Sequence, residues 1–199
     1  MKKSILSLAI MTALLTACQS HKKSILVYAD SNIQVDDSKK NIVVQEGTTQ
    51  VEKQLDFSGS DPVVLNIQGP SGKYTLEATE DGYYIANLKS DTVVGSLQHV
   101  GETANTRLTQ DQLKQNLDSL SKLVKNENVS AANKNYFIAP GKIDRISATT
   151  NVRVFGPFTS VSSSFDPSTV SEVYKFYDVS EVNEIIGKLT EMTKYQSGQ

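Results

Sequence analysis

Lys73-Tyr74-Thr75-Leu76-Glu77-Ala78 runs through Thr79-Glu80-Asp81-Gly82 into Tyr83-Tyr84-Ile85-Ala86-Asn87-Leu88. Tyr74, Leu76 and Ala78 alternate with polar residues, the period-two pattern of a strand with one face on a core. Asp81-Gly82 is a turn dipeptide, and Tyr83 and Ile85 resume the alternation beyond it. The stretch therefore predicts a β-hairpin. Strand patterns flank it at 25–28, 42–45, 63–68 and 92–100. They are parted by turn-forming runs at Asp36-Asp37-Ser38, Ser58-Gly59-Ser60-Asp61-Pro62 and Gly69-Pro70-Ser71-Gly72. Short strands at this spacing predict a sandwich-like β unit over residues 25–101.

Further along the chain the period changes. Leu113, Leu117, Leu120 and Val124 recur at helical spacing, Thr109 and Gln112 fit a capping box, and Asp111 suits the positive helix end. A helix is predicted over 110–125. Strand patterns return at 136–139, 142–147, 151–155 and 172–177, broken by Pro140-Gly141 and Gly156-Pro157. A last helix is predicted over 181–193, with Val182, Ile185, Ile186, Leu189 and Met192 as its stripe. Gly187 inside it weakens the helix by about 1 kcal/mol relative to Ala, a cost that close packing on a sheet would offset. The expected class is α+β: a β-rich unit, a boundary near Arg107, and a strand-and-helix lobe over 107–195.

The amino terminus is an address. Lys2 and Lys3 precede an apolar run from Ile5 to Ala17. That run spans about 20 Å as a helix, against roughly 30 Å of bilayer hydrocarbon, so it reads as a secretory signal and not a membrane span. Leu15-Thr16-Ala17-Cys18 resembles the lipobox of bacterial lipoprotein precursors, and Cys18 is the single cysteine. The resemblance implies cleavage before Cys18, a diacylglyceryl group on its thiol and an acylated (palmitate-type) amino terminus. Residues 1–17 are then a signal peptide and 18–24 a lipidated tether. Gln19 after the cysteine, where inner-membrane retention favours Asp, points to the outer membrane. Basic residues at 21–23 favour its periplasmic face. The repeat of Lys-Lys-Ser-Ile-Leu at 2–6 and 22–26 reads as coincidence. Two further stretches resemble uncharacterised lipoproteins of Bacteroidota: Asp81-Gly82-Tyr83-Tyr84 through Gly95, and Asn135-Tyr136-Phe137-Ile138 through Gly156-Pro157-Phe158 to Tyr174-Lys175-Phe176-Tyr177. That resemblance implies no activity.

Composition excludes several chemistries. Without Lys2 and Lys3 the chain carries 18 basic and 22 acidic residues, net −4, and its pI is about 5.7, so nucleic acid is not an expected partner. Only His21 and His99 are present, and no Gly-x-Ser-x-Gly elbow occurs, which disfavours serine or cysteine triads and imidazole-based zinc sites. No cofactor loop appears, so neither cofactor nor metal is expected. Asp30, Asp36 and Asp37 form the one acidic group with calcium potential, without EF-hand spacing.

Nine of the 14 aromatic residues lie between Tyr136 and Tyr195. Aromatic and Arg side chains are what interface hot spots favour. Arg145, Arg153, Phe155, Phe158, Tyr174 and Tyr177 are therefore the candidate partner face, with full burial in the core as the competing reading. The leading expectation is a non-enzymatic, lipid-anchored envelope module that binds or scaffolds a protein or glycan. Its rivals are a carboxylate-based hydrolase of envelope glycans and a periplasmic carrier of a small apolar ligand.

Overall fold

A computed structural model describes residues 21–36, 38, 40–70, 72–98, 109–159 and 164–197. Its strands are β1 (Lys22–Ala29), β2 (Ile33–Asp36), β3 (Asn41–Val44), β4 (Val51–Ser58), β5 (Val63–Gly69), β6 (Gly72–Ala78), β7 (Gly82–Asn87) and β8 (Val93–Leu97). Helix α1 (Gln110–Val124) follows, then β9 (Asn135–Ile138), β10 (Lys142–Ser147), β11 (Val152–Phe155), β12 (Glu172–Asp178) and helix α2 (Val179–Ser197). The class is α+β, with strand predominating.

The strands form three four-stranded sheets, ordered β10-β7-β1-β4, β2-β3-β5-β6 and β11-β12-β8-β9. The first is central. From β1, Ile25, Val27 and Ala29 pack with Ile42, Leu65, Ile67 and Leu76 of the second sheet. Leu26 and Tyr28, pointing the other way, pack with Val93, Tyr136, Tyr174 and Phe176 of the third. The far face of the third sheet, through Val94, Phe137 and Tyr177, carries the helices through Leu120, Leu123, Val182 and Ile186. The order of layers is sheet, sheet, sheet, helix pair.

This layering explains why β1 and β7 are apolar on both faces. A strand covered on two sides reads as a continuous hydrophobic run and not as an alternation. The pair is parallel, Leu26 opposite Ile85 and Val27 opposite Ala86.

Several expectations change. The hairpin at 73–88 does not form: β6 pairs with β5, whereas β7 lies in the central sheet between β1 and β10. The 79–81 connection carries the chain from one sheet to another. Gly82, at φ 138°, serves close approach: a Cβ there would collide with the Ser147 carbonyl. The Tyr84 hydroxyl braces the same connection, donating to the Glu80 carbonyl at 2.8 Å and accepting from its amide at 3.1 Å.

The boundary near Arg107 does not separate sheets. β10 joins the central sheet beside β7, and β8 sits between β12 and β9. Strands from either side of residue 101 thus share two sheets. The span expected as a tether, 18–24, is strand from Lys22 onward, where β1 pairs with β4 beginning at Lys22 opposite Ser58. Lys23 is buried and donates to the Gly59 carbonyl at 3.1 Å, with Asp81 at 3.4 Å. The second Lys-Lys-Ser-Ile-Leu copy is therefore the start of the central strand. Lys53 opposite Val27 interrupts the apolar alternation of β4, and β2 is only four residues long, so neither stood out. Nothing lies within 4 Å of a Cβ built on Gly187, so close packing does not explain that glycine. Residues 1–20, with the lipobox and Cys18, lie outside the described residues, as do Asp37, His99 and Arg107.

Candidate functional site

Three connections leave the central sheet at one end: β1 to β2 at 30–32, β7 to β8 at 88–92, and β9 to β10 at 139–141. Asn87 holds the second and third together. Its side chain is fully buried; its Nδ2 donates to the Asp91 carbonyl at 2.9 Å and the Ile138 carbonyl at 2.8 Å, and its Oδ1 accepts from the Lys89 amide at 3.0 Å. The Gly141 amide donates to the Asn87 carbonyl at 2.8 Å. A buried polar side chain with its bonds satisfied specifies one arrangement of the loops around it.

Between these loops and the β5–β6 turn lies a cleft of about 700 Å³, within the size range of small-ligand sites. Asp30, Tyr74, Thr75, Lys89, Ser90 and Lys142 are among its lining residues, with Val44 and Leu88 supplying apolar wall. Asp30 is held in place by Ser90, whose amide donates at 2.9 Å and whose hydroxyl donates at 2.5 Å to the same carboxylate oxygen. Burial raises the Asp30 pKa, but the two Ser90 hydrogen bonds and nearby Lys89 outweigh it, leaving the carboxyl below its ordinary value. Burial raises the Tyr74 hydroxyl above its ordinary value. Gly141, at φ 69°, brings its turn against the hydroxyl end of the Tyr74 ring.

Lys89 turns away from the cleft. Its ammonium lies 2.6 Å from both Asp178 carboxylate oxygens and 4.3 Å from the centroid of the Phe158 ring. Asp30 is the one carboxylate among the cleft-lining residues, so the cleft does not present the pair that glycosidic hydrolysis uses. A carboxylate alone is a weak base for activating Ser90, and among the described residues no histidine lines the cleft. Among the described residues no group of three or more His, Cys, Asp or Glu side chains gathers to hold a metal. Asp30 and Asp36 stand at opposite ends of β2 and its leading turn.

The proposed partner face does not assemble. Tyr174 and Phe155 are buried within the fold. Tyr174 packs between the central and third sheets, near Tyr136 and Phe176. Tyr177 is half-buried beneath the helices. Phe158 is half-buried under Lys89. Arg145 sits on β10 and bonds Glu80 and the Asp81 carbonyl; Arg153 sits on β11 in a different sheet, over Phe155. Six of the nine aromatic residues, Tyr136, Phe137, Phe155, Tyr174, Phe176 and Tyr177, lie on strands of the third sheet.

The sequence pattern assigns Tyr74 a strand position and no binding role, and it assigns Asn87 and Lys142 no role beyond their strands. Pro140-Gly141 and Gly69-Pro70 were visible as turns, but nothing local says that these turns meet. No family model matches this chain, no curated protein matches it, and no solved structure matches it.

Proposed function

We propose that this protein is a lipid-anchored, non-enzymatic binding module of the bacterial cell envelope, held through Cys18 at the periplasmic face of the outer membrane. The observation that carries the binding half is the cleft at the end of the central sheet, whose described lining offers hydrogen-bonding side chains and no nucleophile–base set. The anchor rests on the Leu15–Cys18 pattern. Three residues separate Cys18 from β1, and β1 ends at Ala29, immediately before cleft residues Asp30 and Ser31. Eight residues of strand span about 26 Å. The cleft therefore opens at the end of the fold away from the acyl chains, toward the periplasmic space.

The test has two arms. Metabolic labelling with a fatty acid should mark the wild-type chain in the membrane fraction and leave Cys18→Ala unlabelled. Equal label on both overturns the anchor. Incubation of the purified chain with envelope glycan should release no new reducing ends. Release that disappears in Asp30→Asn overturns the non-enzymatic reading and revives the hydrolase.

A further inference from the structure

We infer that the cleft recognises a short stretch of carbohydrate chain, bound by Tyr74, Thr75, Asp30 and Lys142, with Asn41 and Asn66 engaging its continuation. The inference deepens the binding-module reading and rests on it. Its first support is the set of groups left uncommitted. Among the described residues the side chains of Tyr74, Thr75 and Lys142 make no hydrogen bond to another side chain or to the backbone, although all three line the cleft. Asp30 spends one carboxylate oxygen on Ser90, and the Ser31 hydroxyl reaches the other at 3.4 Å. The site thus offers a phenol, a hydroxyl, an ammonium and a carboxylate oxygen. Together they supply both donors and acceptors, which suits vicinal hydroxyls, each of them donor and acceptor at once. A Tyr ring beside them adds an apolar surface with a polar tip.

The second support is a neighbouring depression of about 390 Å³ over β3, β5 and β6, which shares Tyr74 and Thr75 with the cleft. Here Asn66 Nδ2 donates to Asn41 Oδ1 at 3.0 Å, and Asn66 stands opposite Thr75 in the β5–β6 register. A row of carboxamides and a hydroxyl crosses three strands. Carboxamides combine a donor and an acceptor at one planar group, again matched to paired hydroxyls. Two sites sharing residues on one strand suit a linear oligomer and not a lone small molecule.

An extended peptide is the alternative occupant. Peptides commonly gain affinity by adding a strand to an open sheet edge, and β6 and β10 are edge strands of their sheets. Most of the cleft lining nevertheless comes from turns at 30–31, 69–70, 88–90 and 140–141, so a ligand there meets side chains more than a free strand edge, and trialanine is the control that decides. A phosphate-bearing ligand is less well matched: of the two lysines lining the cleft, Lys89 is committed to Asp178, and Asp30 adds negative charge to the site that Lys142 lines.

The test is titration calorimetry on the detergent-solubilised full chain, with chitotriose, maltotriose and mannotriose as probes and trialanine as control. Saturable binding of at least one trisaccharide is expected. Tyr74→Phe, which keeps the ring, and Asp30→Asn should each weaken it about tenfold, roughly 1.4 kcal/mol, with the Tm unchanged in Tyr74→Phe. No trisaccharide binding, binding undiminished in both variants, or binding of trialanine alone overturns the assignment. Photo-crosslinking in cells from exposed position 142 separates the two readings. Crosslinks to an envelope component without trisaccharide binding overturn the carbohydrate and leave the binding module standing. No crosslink and no binding overturn both.

Discussion

Gly82 lies against the carbonyl of Ser147, where β7 and β10 run so close that residue 82 has no room for a Cβ. The register of this pair shifts between Arg145 and Ser147, a bulge that takes Ile146 out of the regular ladder. The Ile146 carbonyl then accepts from Tyr136 at 2.7 Å and lies 2.9 Å from the Tyr174 hydroxyl, joining the central sheet to the third. Gly82→Ala should cost about 2–4 kcal/mol, since it adds both a strained φ and a backbone collision. Gly59→Ala is the control: its φ is 117°, but nothing lies within 4 Å of the added Cβ. Equal losses in urea denaturation would show that φ alone is responsible and that the close approach contributes nothing.

Tyr28 and Tyr174 are both fully buried, yet their hydroxyls differ. That of Tyr28 has no hydrogen-bond partner. That of Tyr174 is placed to share its proton between the Ile146 carbonyl and Glu172 Oε2 at 2.8 Å. An unmet buried hydroxyl costs stability, and a paired one contributes. Tyr28→Phe should therefore stabilise the fold by about 1 kcal/mol, and Tyr174→Phe should destabilise it by about 1–2 kcal/mol. Denaturant midpoints for both variants check the sign; a loss in Tyr28→Phe would contradict the pairing described here.

Gly187→Ala should raise stability by about 1 kcal/mol. The position is helical, exposed and open around the added methyl. Thermal melts compare it with the parent, and a lowered Tm would mean that the α2 surface meets something the isolated chain does not show.

Alkaline pH should destabilise the fold through its tyrosines. Burial, with a smaller effect of Asp56, pushes the Tyr83 hydroxyl up to about 12, and burial also raises Tyr28. Unfolded tyrosine titrates near pH 10. Below that value neither state loses the proton and the stability is complete. As pH rises through 10 the unfolded chain releases protons that the fold still holds, so stability falls until the folded value is passed. The denaturant midpoint should drop between about pH 9 and about pH 11. Phenolate absorbance should appear in two groups, the buried one rising with unfolding. One smooth titration near the ordinary value would contradict the burial of these rings.

Local pattern alone determined much of this protein. Both helices follow from apolar spacing, because a helix with one buried face repeats every three or four residues whatever it packs on. Among the described residues, ten of the twelve strands follow from short β-rich runs between turns. The scarcity of histidine, the single cysteine and the lipobox pattern are matters of composition and order, and they set the expectations about address and chemistry. Tertiary structure decided which strands meet. Tyr83 and Ile85 alternate as well in a hairpin as in a strand buried on both faces, and only the second sheet over Tyr84 and Ala86 separates the two cases. Lys23 reads as tether until Gly59 and Asp81 close around its ammonium. The cleft was invisible for the same reason: Asp30, Tyr74 and Lys142 are far apart in sequence, and it is long-range sheet pairing that brings their loops to one end of β1.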